Sequence, residues 1–136
     1  MTFVQTIMIY FVSIGVFAGV DYIWLSKVAP QLYKANIGHL LATKPNMPAA
    51  VAFYALFLVG LLVFAIVPAL NKGSLNHAMV YGALFGLFTY GTFDLTNQAV
   101  LKDWPTKITL IDMTWGVVLC ATVSAIVYLI AHKYIV

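Results

Sequence analysis

The chain has 136 residues, 63% of them hydrophobic and only 8% charged, with a formal net charge of +3. A soluble domain carries about 25% charged residues, so this composition excludes one and points to a polytopic membrane protein. The apolar runs are long and continuous, which also excludes a barrel of alternating segments about 10 residues long. The positive charge sits in lysines that flank those runs, so it implies contact with lipid headgroups and no nucleic-acid partner.

A hydrocarbon core of about 30 Å needs about 20 apolar residues per crossing helix. Four segments meet that length: residues 3–26, 49–70, 77–101 and 108–131. The predicted fold is therefore an all-α four-helix transmembrane bundle, one domain over residues 1–136, with a short interfacial helix between the first and second spans. No lysine precedes the first span, and Asp21 falls where a leader would be cleaved, so the segment reads as a retained helix beginning at Met1.

In the first span Asp21 lines up with Ile14, Phe17, Ala18 and Trp24, while Gly15 and Gly19 occupy a different face. The connection over residues 30–44 reads as a surface helix. Pro30 suits its start, Tyr33, Ile37, Leu40 and Leu41 recur at helical spacing, and Lys34 and His39 take other sides. Pro45-Asn46-Met47-Pro48 then breaks it, and Asn46 with Pro48 fits the capped start of the second span.

The third span carries a second glycine pair, Gly82 and Gly86, and then a polar strip of Tyr90, Gly91, Asp94, Asn97 and Gln98. The fourth has Asp112, Trp115, Gly116, Cys120 and Ser124 on one stripe. Small residues at four-residue steps let membrane helices approach closely. Each glycine pair is thus a candidate seam, either between the first and third spans or between two copies of the chain in a homodimer. Trp24, Trp104 and Trp115 suit an interfacial aromatic belt. Cys120 stands alone in mid-span and forms no internal disulfide.

Lysines orient the spans. Lys27, Lys34, Lys44, Lys102 and Lys107 fall on one face, against Lys72 and Lys133 on the other, so the first face is expected to be cytoplasmic and the termini outside. Asp21, Asp94 and Asp112 are the costly residues, because an aspartate near the centre of a membrane helix costs about 2.5–3.5 kcal/mol. At about 1.5 Å of rise per residue they lie ~9, ~12 and ~7.5 Å inward from Lys27, Lys102 and Lys107. All three therefore share one leaflet, beneath the lysine-rich face, and are expected to converge in a common polar pocket.

No Gly-rich phosphate loop, H-E-x-x-H, paired cysteines or G-x-S-x-G turn is present. Three functional classes follow. The first is a polar pocket of Asp21, Asp94, Asn97 and Asp112, supported by Trp24, Tyr90, Lys102, Trp115 and His39, that binds a cation, a proton or a small polar ligand and transports it. Oxygen donors suit a hard cation, so any metal would fall to Asp21, Asp94 and Asp112. His39 is a candidate ligand or proton carrier, although a lone interfacial histidine is more often a solvated group. The second class is an intramembrane enzyme modifying a lipid or isoprenoid, with two aspartates as acid and base. The third is a non-catalytic assembly or stress-response subunit, whose aspartates bond across helices to Tyr90, Asn97 or Trp115. No cofactor is indicated.

The strings DYIWL, YKANIGHLLATKPNMPA, GALFGLFTYGTFDLTNQAVLKDWP and IDMTWG resemble those of a family of small bacterial inner-membrane proteins known only as a domain of unknown function. The resemblance covers nearly the whole chain. It implies a multi-pass protein of the cytoplasmic membrane and singles out Asp21, Trp24, Asn46, Asp94, Thr96, Asn97, Lys102, Trp104, Pro105, Asp112, Trp115 and Gly116. It implies no activity.

Overall fold

A computed structural model describes residues 1–136, and every regular element in it is helical. The first helix, α1 (Phe3–Lys27), starts on a reciprocal cap. The Thr2 hydroxyl accepts from the Gln5 backbone N–H, and the Gln5 side chain accepts from the Thr2 N–H. Its inward face is Ile9, Ser13, Phe17 and Asp21, a strict four-residue step.

A short helix, α2 (Ala29–Ile37), follows at once with Pro30 in its first turn. It ends earlier than the 30–44 segment suggests. Ile37 leaves helical geometry, and only a tight turn over Gly38–Leu40 continues. Ala29 and Ile37 are buried with Tyr33 between them, so one stripe of α2 packs inward while Leu40 and Leu41 stay exposed.

Helix α3 (Met47–Lys72) runs for 26 residues. The Asn46 side chain caps it by accepting from Ala49 N–H, as the sequence suggests. Its middle widens into a π-turn at Leu62–Ile66, where the Val67 N–H reaches back to the Leu62 carbonyl. Pro68 explains this, because its ring removes one helical donor and crowds the carbonyl four residues earlier. Gly73, in the left-handed region at φ 61°, closes α3, and Ser74 caps the next helix.

Helices α4 (Leu75–Val100) and α5 (Thr106–Tyr134) are antiparallel and pack along most of their length. A Cβ on Gly86 would stand 2.0 Å from the Gly116 carbonyl oxygen, and one on Gly82 would stand 2.6 Å from that of Cys120. The backbones therefore nearly touch. This corrects the expectation for Gly82 and Gly86: they seat α4 on α5 within one chain, facing neither α1 nor a second copy. Gly15 and Gly19 have no atom within 4 Å of where a Cβ would stand.

Around this seam, α1 lies against α5 and touches α3, and the second half of α3 lies against α4. One hydrogen bond ties the termini together: Gln5 Nε2 donates to the Ile135 carbonyl at 2.8 Å, so both chain ends meet at one end of the packed helices. The apolar core, with Leu61, Ile66, Leu119, Val123 and Val127 fully buried, fills that half. The exterior is apolar too. Leu56, Phe64, Phe88 and Leu110 are exposed, whereas Ser13, Asp21, Asp94, Thr109, Asp112 and Ser124 are buried. That inversion of the soluble pattern marks a protein solvated by lipid.

Three helices, α1, α3 and α5, are long and apolar enough to cross a membrane. Helix α4 is as long as α3, but its polar strip leaves it outside that set by composition.

Candidate functional site: an acidic recess walled by aromatic rings

The half of the molecule where α1 and α4 end and α3 and α5 begin is not filled. It holds a cavity of about 370 Å³. Its wall takes Asp21 and Trp24 from α1, Tyr33 from α2, Phe53, Tyr54 and Phe57 from α3, Tyr90 and Phe93 from α4, and Asp112 and Trp115 from α5. Five helices thus contribute, and most of the surface is ring.

Asp21 is held from two sides. Trp115 Nε1 donates to one carboxylate oxygen at 3.3 Å, and the Tyr54 hydroxyl donates to the other at 3.5 Å. The Trp115 ring stacks on Trp24 with centroids 4.7 Å apart and planes 7° from parallel. These two tryptophans are therefore parts of the recess, where the sequence equally suits an interfacial belt.

Asp112 accepts from the Tyr33 hydroxyl of α2. Burial first, and then this neighbouring carboxylate, push the Tyr33 phenol well above its ordinary value. The phenol stays neutral and remains a donor.

Asp94 is different. It is fully buried on α4, lies against the Asp112 carboxyl, and neither of its oxygens has a hydrogen-bond donor. It forms no part of the cavity wall, so it backs Asp112 from behind. Buried polar groups are nearly always partnered, and leaving one unmade costs about 1–3 kcal/mol, more for a charged group. For Asp94 the one polar group at hand is the Asp112 carboxyl, and two carboxyls satisfy each other only by sharing a proton.

The sequence expectations divide accordingly. Asp21, Asp112, Trp24, Tyr90 and Trp115 line the recess, and Asp94 adjoins it. Asn97 is half-buried but outside the wall, and Lys102 and His39 are exposed and outside it. The three aspartates do not make a metal-holding group: no set of three or more His, Cys, Asp or Glu side chains has that geometry. Asp21 is anchored by Trp115 and Tyr54, while Asp94 and Asp112 pair with each other. Of the cross-helix bonds expected for a structural role, Trp115 makes one, and Tyr90 and Asn97 make none to an aspartate. Trp104 turns to Thr109, donating at 3.0 Å, and packs edge-on to Phe93.

Sequence reading missed the two phenols that hold the acids, Tyr33 and Tyr54, together with Phe53, Phe57 and Phe93. One signal was available: Phe53, Tyr54 and Phe57 cluster on one side of α3 at helical spacing.

An all-helical membrane protein with an acid-lined aromatic recess toward one end of its helices is the class these features define. The chain belongs to the family described as "Predicted membrane protein (DUF2177)", whose model matches residues 6–129. That agrees with the resemblance drawn from its motifs to a membrane family of unknown function. No curated protein and no solved structure matches the chain.

Proposed function

We propose that this protein is a four-span cation-binding membrane protein, with α4 as the fourth span and the recess opening toward the lysine-rich face. Four crossings are supported by the length of α4, by its antiparallel packing on α5, and by the exposed Val80, Leu84, Phe88 and Phe93 along it. Its polar strip turns inward, as intramembrane polar residues do. Helix α2 lies at the interface, and the termini face the side opposite the five lysines.

The observation that carries the reading is the recess itself, with Asp21 and Asp112 on its wall and Asp94 buried against Asp112 behind it. A proton between the Asp94 and Asp112 carboxyls, or a cation drawn to the Asp112 side, supplies the missing partner. Exchange between those two states is the elementary step of a proton-coupled carrier, and two copies meeting along the open Gly15 and Gly19 face of α1 would give such a carrier its pathway.

The test uses a hydrophobic carbodiimide, which modifies carboxyl groups within membranes, on the purified protein in lipid. Labelling is mapped by mass spectrometry. Asp21 and Asp112 are expected to react, and to react less as the concentration of a monovalent cation rises. Labelling indifferent to every cation tried would refute the reading.

A second reading, an enzyme acting on a lipid, has one observation in its favour. A shallow apolar furrow of about 340 Å³ lies on the outer side of the same two tryptophans, bordered by Leu110, Ile111, Thr114 and Val118. Untargeted lipid analysis of a deletion strain tests it, with an altered membrane lipid as the supporting result.

A further inference from the structure

Which cation the recess takes can be read from its wall. We infer that the recess between Asp21 and Asp112 is a cage for an organic ammonium ion, a charged nitrogen carrying alkyl groups. This rests on the cation-binding reading above and names its ligand class.

The charge argument comes first. Asp21 and Asp112 both face the cavity, and the wall contains no lysine or histidine. The Tyr33 and Tyr54 hydroxyls and the Trp115 indole N–H are already directed at these acids. An anion would meet two carboxylates and no free cationic partner, so a positive ligand is the one the electrostatics favour.

The ring argument then separates organic from inorganic cations. A hard metal ion or a bare alkali ion takes several oxygen ligands, and no metal-holding cluster exists here. Eight of the twelve wall residues are aromatic. A ring face attracts a cation through its quadrupole and replaces the contacts an alkylated ammonium makes with water, whereas a strongly hydrated ion loses more than the rings return. Size agrees. The volume of about 370 Å³ is at the small end of ligand sites, which run from about 300 to 1,000 Å³, and far exceeds a bare metal ion.

Asp94 lies outside the wall and against Asp112, so the acids that a ligand in the recess meets directly are Asp21 and Asp112.

The same chemistry comes from two sources, a free alkylammonium or the amine headgroup of a lipid whose tails lie along the outer furrow. The experiment separates them. Protein carrying Trp104→Phe, which leaves Trp24 and Trp115 as its tryptophans, is placed in nanodiscs of phosphatidylglycerol alone and titrated with tetramethylammonium chloride against sodium chloride at matched ionic strength. The expected result is a saturable change in tryptophan fluorescence with tetramethylammonium and none with sodium.

Phe53 and Phe93 are both more than half exposed and lie on the wall, so Phe53→Leu with Phe93→Leu keeps the apolar bulk while removing two rings. That double variant is expected to weaken tetramethylammonium by about tenfold with its helical circular dichroism unchanged. Repeating the titration in phosphatidylcholine nanodiscs decides the source: a weakened response means that headgroups compete, and an unchanged one assigns a free ligand.

Sodium or potassium protecting the aspartates from carbodiimide while tetramethylammonium neither protects nor shifts the fluorescence would overturn the ammonium cage and leave the cation site standing. No effect of any cation in either measurement would overturn both.

Discussion

The two halves of this molecule solve opposite problems with the same helices. Toward the chain termini, α4 and α5 are pressed together through glycine, and Leu61, Ile66, Leu119, Val123 and Val127 leave no exposed surface. Toward the lysine-rich end the same two helices carry Asp94, Asp112, Tyr90 and Trp115, and the space between them and α1 is open. Lipid tails are as apolar as leucine, so membrane helices associate through close packing and polar contacts more than through apolar burial. The glycine seam can therefore serve as the anchor that lets the other end keep an unfilled, acid-bearing recess.

The largest effect is expected where that seam is broken. Gly86→Leu forces a side chain into the Gly116 backbone, which cannot give way as a flexible side chain can. A loss of about 3 kcal/mol or more is expected, at the upper end of overpacking costs, read as a drop in thermal or detergent-unfolding stability. A Gly86→Leu protein as stable as the parent would mean that the seam anchors nothing.

Next in size is the latch between α2 and the recess. Tyr33→Phe removes the donor to Asp112 and is expected to cost about 1.5–3 kcal/mol, the range for a hydrogen bond to a charged group. The raised phenol gives the pH dependence its sign. Its contribution is complete below the ordinary phenol range and is lost as pH rises toward the elevated folded value. Wild type should therefore lose stability at strongly alkaline pH with an added component that Tyr33→Phe lacks, measured as parallel melting series across pH.

Asp94→Asn is expected to move stability the other way, by about 1 kcal/mol upward, because a buried carboxyl without a donor is replaced by a neutral group. Carbodiimide protection by cations should fall at the same time. A gain in stability with loss of binding is the signature of a functional group held at a structural cost. A loss of stability without loss of binding would make Asp94 a structural residue.

The sequence made the terminus-side half easier to read than the recess, for a physical reason. Helix stripes repeat locally, so Asp112, Gly116, Cys120 and Ser124 could be aligned from spacing alone, and all four are buried toward α4. The Asn46 cap and the helix start marked by Pro30 were legible because they too are local. Partner choice is not local. Spacing showed that Gly82 and Gly86 share a face without showing that α5 receives it, and nothing near Asp112 points to Tyr33, which is 79 residues away in the chain. The π-turn in α3 had its cause in plain view at Pro68, but which carbonyls the helix would re-pair depends on α4 packed beside it.

The smallest effect on the fold is expected at the other glycine pair. A Cβ at Gly15 or Gly19 meets nothing, so Gly15→Leu and Gly19→Leu have no internal clash and gain helix propensity of up to about 1 kcal/mol per site. Monomer stability should therefore stay within about 1 kcal/mol of the parent or rise slightly, opposite in sign to Gly86→Leu. Self-association is a separate readout. If two chains meet along this face, leucine holds their backbones apart and abolishes the close approach that small residues permit. Light scattering in detergent should then give a smaller mass for the double variant than for the parent. Equal masses would confine the use of small-residue seams in this protein to the internal one, leaving the recess to act within a single chain.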